Sequence, residues 1–178
     1  MPLDLLPAAD APELLAAPVR AAVAQLDPTV SARIRVAEID AELADTAAFC
    51  EAYGVAPAAS ANCIVVAGRR GDDVTYAACV VLATTRADVN KTVRKLLEAR
   101  KASFAPMDEA VALTGMEYGG ITPLGLPEGW RILVDSRVQH VPEAIIGAGI
   151  RAAKIALPGE ALCALPGVEL IEGLATEV

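Results

Sequence analysis

The chain has 178 residues, 54% of them hydrophobic and only 3% aromatic, and Lys+Arg 15 against Asp+Glu 23 gives a net charge of −8. That length suits one domain with a single core of small aliphatic side chains. Scarce aromatics and an acidic surface argue against a protein that holds single-stranded nucleic acid by base stacking or gains much from counterion release. Any RNA contact must be local, brief or assisted.

Cys50, Cys63, Cys79 and Cys163 form no C-x-x-C pair and sit in apolar runs, as reduced thiols of a cytoplasmic protein do. With one histidine, His140, and no His/Cys cluster, the sequence calls for no metal and no cofactor. The N-terminus lacks a basic region followed by an apolar run, and no apolar stretch reaches bilayer length.

In chain order, Met1 to Pro12 reads as a loose lead-in. Pro18 suits the first turn of a short helix carrying Val19, Val23 and Leu26, which stops near Asp27-Pro28. Arg33 to Asp40 alternates like a half-buried strand. Asp45 is an N-cap for a helix over 46–53, with Gly54 as its stop. Asn62 to Ala67 and Val74 to Ala83 predict a buried hairpin turning through 68–73. Asp88 to Ala99 has the clearest helical period, with Val89, Val93, Leu96 and Leu97 on one side.

Arg86, Lys91, Arg94 and Lys95 make that region the one strongly basic window, readable as a solvated face or a phosphate-backbone contact. A second helix runs from Pro106 to Leu113. Strands are expected over 130–134, 151–156 and 168–171, with 143–146 leading into Gly147-Ala148-Gly149 and a last helix over 159–165. The predicted fold is a single mixed α/β domain, residues 1–178 with its core about 30–173, built on a curved, barrel-like sheet packed by helices.

Thr114 to Leu126, T-G-M-E-Y-G-G-I-T-P-L-G-L, is the most unusual stretch. Glycines free the backbone to approach a partner closely, and Pro123 stiffens it, so the loop can aim bare amides at a carbonyl or phosphate oxygen. A tight connection between two elements is the competing reading. Gly-x-Ser-x-Gly is absent. His140 past a strand end is either a general base or a surface residue, and Asp135 is either a polar anchor or a turn cap.

Thr46-Ala47-Ala48 before Tyr53-Gly54-Val55, a buried strand opening at Asn62, Thr114-Gly115, Tyr118-Gly119-Gly120-Ile121-Thr122-Pro123-Leu124-Gly125, Val134-Asp135 and Gly147-Ala148-Gly149 together resemble YbaK-like domains. These are the editing domains associated with prolyl-tRNA synthetase, and the likeness spans roughly residues 30 to 173. It implies hydrolysis of the ester joining a wrong amino acid to a tRNA 3′ end, with a synthetase as a further possible partner. It also implies substrate binding by Thr46, Gly119, Gly120, Ile121, Thr122, Pro123, Asp135, Gly147 and Gly149, with backbone amides of 119–123 on the aminoacyl carbonyl.

Many relatives carry a lysine where this chain has Asn62, the residue assigned here to catalysis. A neutral amide stabilises an oxyanion less than an ammonium does. Hydrolysis then leans on the loop amides and the tRNA 2′-hydroxyl, or the pocket binds without cutting. An enzyme acting on a small-molecule ester or amide unrelated to tRNA is a third reading, suggested by the charge.

Overall fold

The computed structural model describes residues 1–178. β1 (Leu6–Pro7) pairs with β2 (Arg35–Glu38), and between them lie α1 (Ala17–Ala24) and α2 (Pro28–Ser31). Pro18 falls in the first turn of α1, where its missing N–H goes unused. α3 (Thr46–Tyr53) starts at Asp45, whose carboxylate accepts from Ala47 N, and ends at Gly54 with φ +66°. Both ends match the sequence prediction.

β3 (Ala61–Arg70) and β4 (Asp73–Leu82) form the expected hairpin, but the ladder runs on until only Gly71 and Asp72 remain in the turn. After β5 (Thr85–Ala87), the predicted long α-helix is instead a π-helical stretch, Val89–Val93, leading into α4 (Arg94–Leu96). The cause is local. Val93 N donates to Asp88 O five residues back, while the Asp88 carboxylate accepts from both Thr92 N and Thr92 Oγ1. The rest of the chain gives β6 (Lys101–Phe104), α5 (Met107–Thr114), β7 (Arg131–Asp135), β8 (Ala144–Gly147), β9 (Ala153–Leu157), α6 (Gly159–Cys163), β10 (Val168–Ile171) and β11 (Ala175–Glu177).

The strands form three open sheets, so the single barrel-like sheet predicted from sequence does not form. One sheet has the order β10-β7-β4-β3-β6 and is mixed, with β7 parallel to both β4 and β10. A second, antiparallel sheet has the order β1-β2-β9-β8, and β5 pairs with β11. The two larger sheets touch at a parallel bridge between Ser60 and Ile145. β6 pairs with residues 66–69 of β3 and Ala105 N adds a bond to Val65 O, so 61–64 keep an open edge facing β8. That gap positions the site.

The largest core lies between these sheets and includes Val80, Leu82, Val134, Val36, Ile146, Ile155 and Leu157. Ala8, Ala11, Leu15 and Val19 belong to it too, so the proline-studded N-terminus is packed rather than loose. Ala8 N donates to Ile34 O and Ala16 N to Ala148 O, which ties the segment down. A second core, with Val66, Ala77, Cys79 and Leu133, is covered by Val89, Val93 and Leu97. Burial pushes the Cys79 thiol up to about 12, and all four cysteines are free. No helix is long and apolar enough to cross a membrane.

Asp135, 1% exposed at the end of β7, accepts from Arg137 N at 3.0 Å and from Ala175 N at 2.9 Å, and pairs with the Arg137 guanidinium. It clamps the C-terminal β5–β11 pair onto the main sheet. Asp135→Ala orphans the buried Ala175 N–H and is expected to cost about 2–3 kcal/mol. Urea denaturation checks this, and an unchanged midpoint would contradict it.

Candidate functional site

A cavity of about 330 Å³ opens where the two large sheets splay apart. The open-edged start of β3 supplies Asn62, Cys63 and Ile64, β8 supplies Ile145 and Gly147, and β9 supplies Lys154. Ala44, Asp45 and Thr46 at the start of α3 form one wall, and Tyr118, Gly119 and Ile121 of the glycine-rich loop form another. An adjoining groove also contains Asp45, Thr46 and Asn62, so Asn62 stands between two hollows.

Asn62 is oriented by its neighbour. Thr46 Oγ1 donates to Asn62 Oδ1 at 2.8 Å, so the amide oxygen is occupied and the NH₂ end has no protein acceptor. Two N–H donors are therefore available at the cavity wall.

The loop is held by contact between main chains. Gly120 N donates to Glu117 O, Gly149 N to Gly120 O at 2.7 Å, and Glu117 N to Gly149 O. A Cβ on Gly147 would lie 2.4 Å from Gly120 O, and one on Gly120 would lie 2.6 Å from Ile150 O. The paired glycines thus let the loop lie directly against the chain leaving β8. Arg151 ties the loop further by donating to Tyr118 O and Ala41 O. The amides of Gly119, Ile121 and Thr122 donate to no protein acceptor.

Of the residues singled out from sequence, Thr46, Asn62, Gly119, Ile121 and Gly147 come together on the cavity wall. Gly120, Thr122, Pro123, Asp135 and Gly149 do not line it. The Gly120 amide and carbonyl are spent on the loop itself, Asp135 serves as the clamp described above, and Gly149 packs on Ala16 and Val19 with φ +84°. Thr122 is fully buried with a hydroxyl that has no hydrogen-bond partner, and Pro123 is buried beside it. His140 is exposed at the end of a 3-10 turn, away from the cavity.

Arg86, Lys91 and Lys95 are exposed, Arg94 is half-buried with Nε donating to Asn90 O, and none of the four lines the cavity. Sequence reasoning missed Lys154. Its signal was a lone charge inside the apolar run Ala-Ala-Lys-Ile-Ala-Leu.

Gly147 has no positive φ, so its replacement tests the loop packing rather than backbone strain. Gly147→Ala is expected to lower stability by about 1–3 kcal/mol through overpacking against Gly120. A denaturation midpoint equal to wild type would show that the loop does not depend on this approach.

The profile of the aminoacyl-tRNA editing domain family matches residues 40–165. Two crystal structures share the fold. One, of a hypothetical protein, is 19% identical with TM-score 0.72 over 83% of this chain and 95% of its own. The other, of a candidate trans-editing enzyme for prolyl tRNA synthetase, is 21% identical with TM-score 0.69 over 86% of this chain and 100% of its own. A proline–tRNA ligase of Streptococcus thermophilus is 43% identical over 44 residues, a stretch covering 25% of this chain and 7% of the ligase. The match over 40–165 includes α3, the β3–β4 hairpin, the glycine-rich loop and β8–β9, and the chain belongs to the aminoacyl-tRNA editing domain family.

Proposed function

We propose that this protein is an aminoacyl-tRNA deacylase, hydrolysing the ester between a mismatched amino acid and the 3′ end of a tRNA. The observation that carries the reading is the pair of unspent amides, Gly119 and Ile121, on a cavity whose opposite wall holds the free NH₂ of Asn62. A preorganised donor aimed at a developing oxyanion is worth about 2.7–4 kcal/mol, so two amides supply a useful share of an ester-hydrolysis barrier. The cavity volume suits an aminoacyl group and excludes bulk by size. Sieving of this kind matters because apolar side chains differ by only about 1–3 kcal/mol in a binding pocket.

The rim favours a nucleotide end over a small free ester. Phe49 and Tyr53 pack on each other in the core, and Tyr76 stacks on Trp130. Phe104 and Tyr118, 59% and 53% exposed, both line the cavity. Exposed rings at a pocket mouth suit the terminal nucleobase, and stacking is worth about 1–3 kcal/mol per base. Arg86, Lys91, Arg94 and Lys95 then meet the tRNA backbone. The setting is cytoplasmic, where the thiols stay reduced, and a synthetase is a natural partner.

Asn62 favours a second reading, a domain that binds the aminoacyl end without cutting it. A panel of mischarged tRNAs separates the two. Release of at least one amino acid above buffer supports deacylation. Release of none, with Asn62→Lys creating turnover, supports binding alone.

Two further outcomes are expected. Phe104→Ala with Tyr118→Ala weakens binding of a tRNA 3′-end oligonucleotide at least tenfold, and unchanged affinity would remove the rim from the binding site. Replacing Lys91, Arg94 and Lys95 with Ala lowers the log–log salt slope of tRNA binding by about 0.7–0.9 for each phosphate that is no longer neutralised. An unchanged slope would mean that this window is only a solvated face.

A further inference from the structure

Lys154 is the most unusual charge in the molecule. It is 9% exposed, and its neighbours on β9, Ala153, Ile155, Ala156 and Leu157, are each no more than 1% exposed. No carboxylate pairs with it: the ion pairs join Arg33 to Glu160, Arg35 to Glu143, Arg131 to Glu169 and Arg137 to Asp135. Its Nζ donates one long hydrogen bond, 3.3 Å to Ala44 O, and rests 4.9 Å from the centre of the Phe49 ring. An ammonium has three donors, so two have no protein acceptor.

A buried, unpaired cation costs several kcal/mol and persists where it has a use. The geometry indicates the use. Lys154 stands opposite Gly147 in the β8–β9 ladder, and the missing Cβ of Gly147 is what admits the Gly120 carbonyl to the same strand. The lysine and the glycine-rich loop therefore flank one strand, and both line the cavity. Burial lowers the Lys154 pKa, and Arg151 lowers it further, while Cys50 and Asp45 push it back up.

We propose that Lys154 is the cationic catalytic residue of this cavity, donating through Nζ to the carbonyl oxygen of the bound aminoacyl ester as that oxygen becomes negative. The assignment rests on the deacylase reading. In the step, water adds its oxygen to the carbonyl carbon and the C=O π pair moves onto the oxygen beside Nζ. Collapse re-forms the C=O and breaks the bond to the ribose oxygen, which takes the proton that water gives up. Free amino acid and an unesterified 3′ end result.

The pH sign follows from linkage. The folded-state pKa lies below the ordinary 10.5, so the unfolded chain holds the proton more tightly. Lys154 therefore subtracts stability at neutral pH, and that loss is recovered as pH rises from the folded pKa towards 10.5. Lys154→Met fills the same volume without the charge.

The test compares wild type, Lys154→Met and Lys154→Arg in single-turnover deacylation across pH, in urea denaturation, and in binding of a non-hydrolysable 3′-aminoacylamino-adenosine. The Met variant is expected to deacylate about 100-fold more slowly and to have an equal or higher denaturation midpoint. The wild-type rate advantage over it should shrink as pH rises and Lys154 loses its proton. If the Met variant proves unstable, the Arg variant decides. Activity retained without the pH-dependent loss supports the assignment, and a stable but inactive Arg variant overturns it.

A Met variant as fast as wild type at every pH overturns the Lys154 assignment and leaves the deacylase reading standing. A wild type that neither hydrolyses any mischarged tRNA nor binds the analogue brings both down. Binding without hydrolysis, undiminished in the Met variant, likewise overturns the assignment.

Discussion

The site depends on two stretches of backbone lying closer than side chains permit. Gly120 and Ile121 press their main chain against Gly147, with only 2.4 Å between the Gly120 carbonyl oxygen and the point a Gly147 Cβ would occupy. A sheet edge would offer such a loop a ladder of bonds. Here the loop is tied at Glu117, Tyr118 and Gly120, and the amides on either side of Gly120 remain without acceptors. Glycine at 147 and 120 is thus required by packing, and the availability of the neighbouring amides follows from that packing. The N-terminal segment supports the arrangement from behind, since Ala16 and Val19 pack on Gly149 and Pro18 lies against Gly125.

The same close approach explains how charge reaches the cavity. A side chain on β9 opposite an ordinary residue of β8 would be screened from the loop by that residue's Cβ. Opposite Gly147, Lys154 shares its strand pair with the contact that seats the loop. Thr46 meanwhile fixes the neutral amide of Asn62 on the facing wall. The cavity thus holds both the neutral NH₂ donor of Asn62 and the Lys154 ammonium, which no carboxylate pairs, among aliphatic residues, Asp45 and the rings of Phe104 and Tyr118.

Much of this was legible in the sequence, wherever the signal was local. Asp45 and Gly54 bracket α3 because capping chemistry acts over a single turn, and the glycine-rich loop stood out because glycine spacing is a backbone property. Non-local facts were hidden. Asp135 has the sequence context of a turn cap, and it does accept from Arg137 N, but its bond to Ala175 N needs the C-terminus folded back across the sheet. The period of residues 88–99 is helical, yet Asp88 widens the first turn by accepting from Thr92 and Val93. Lys154 carries little local signal, since a single lysine in a buried strand acquires meaning only once the fold shows that no carboxylate pairs with it. The proline-rich start reads as loose for a similar reason: its bonds are to Ile34 and Ala148, far along the chain.

The central claim is that Gly119 and Ile121 hold their amides ready for an acyl oxygen. Backbone ¹⁵N–¹H spectra recorded while titrating a 3′-aminoacylamino-adenosine measure this most directly. Saturable downfield shifts of the Gly119 and Ile121 amides, with Gly120 held nearly constant by its bond to Glu117, are the predicted result. Saturating binding that leaves both amides unmoved would contradict the account.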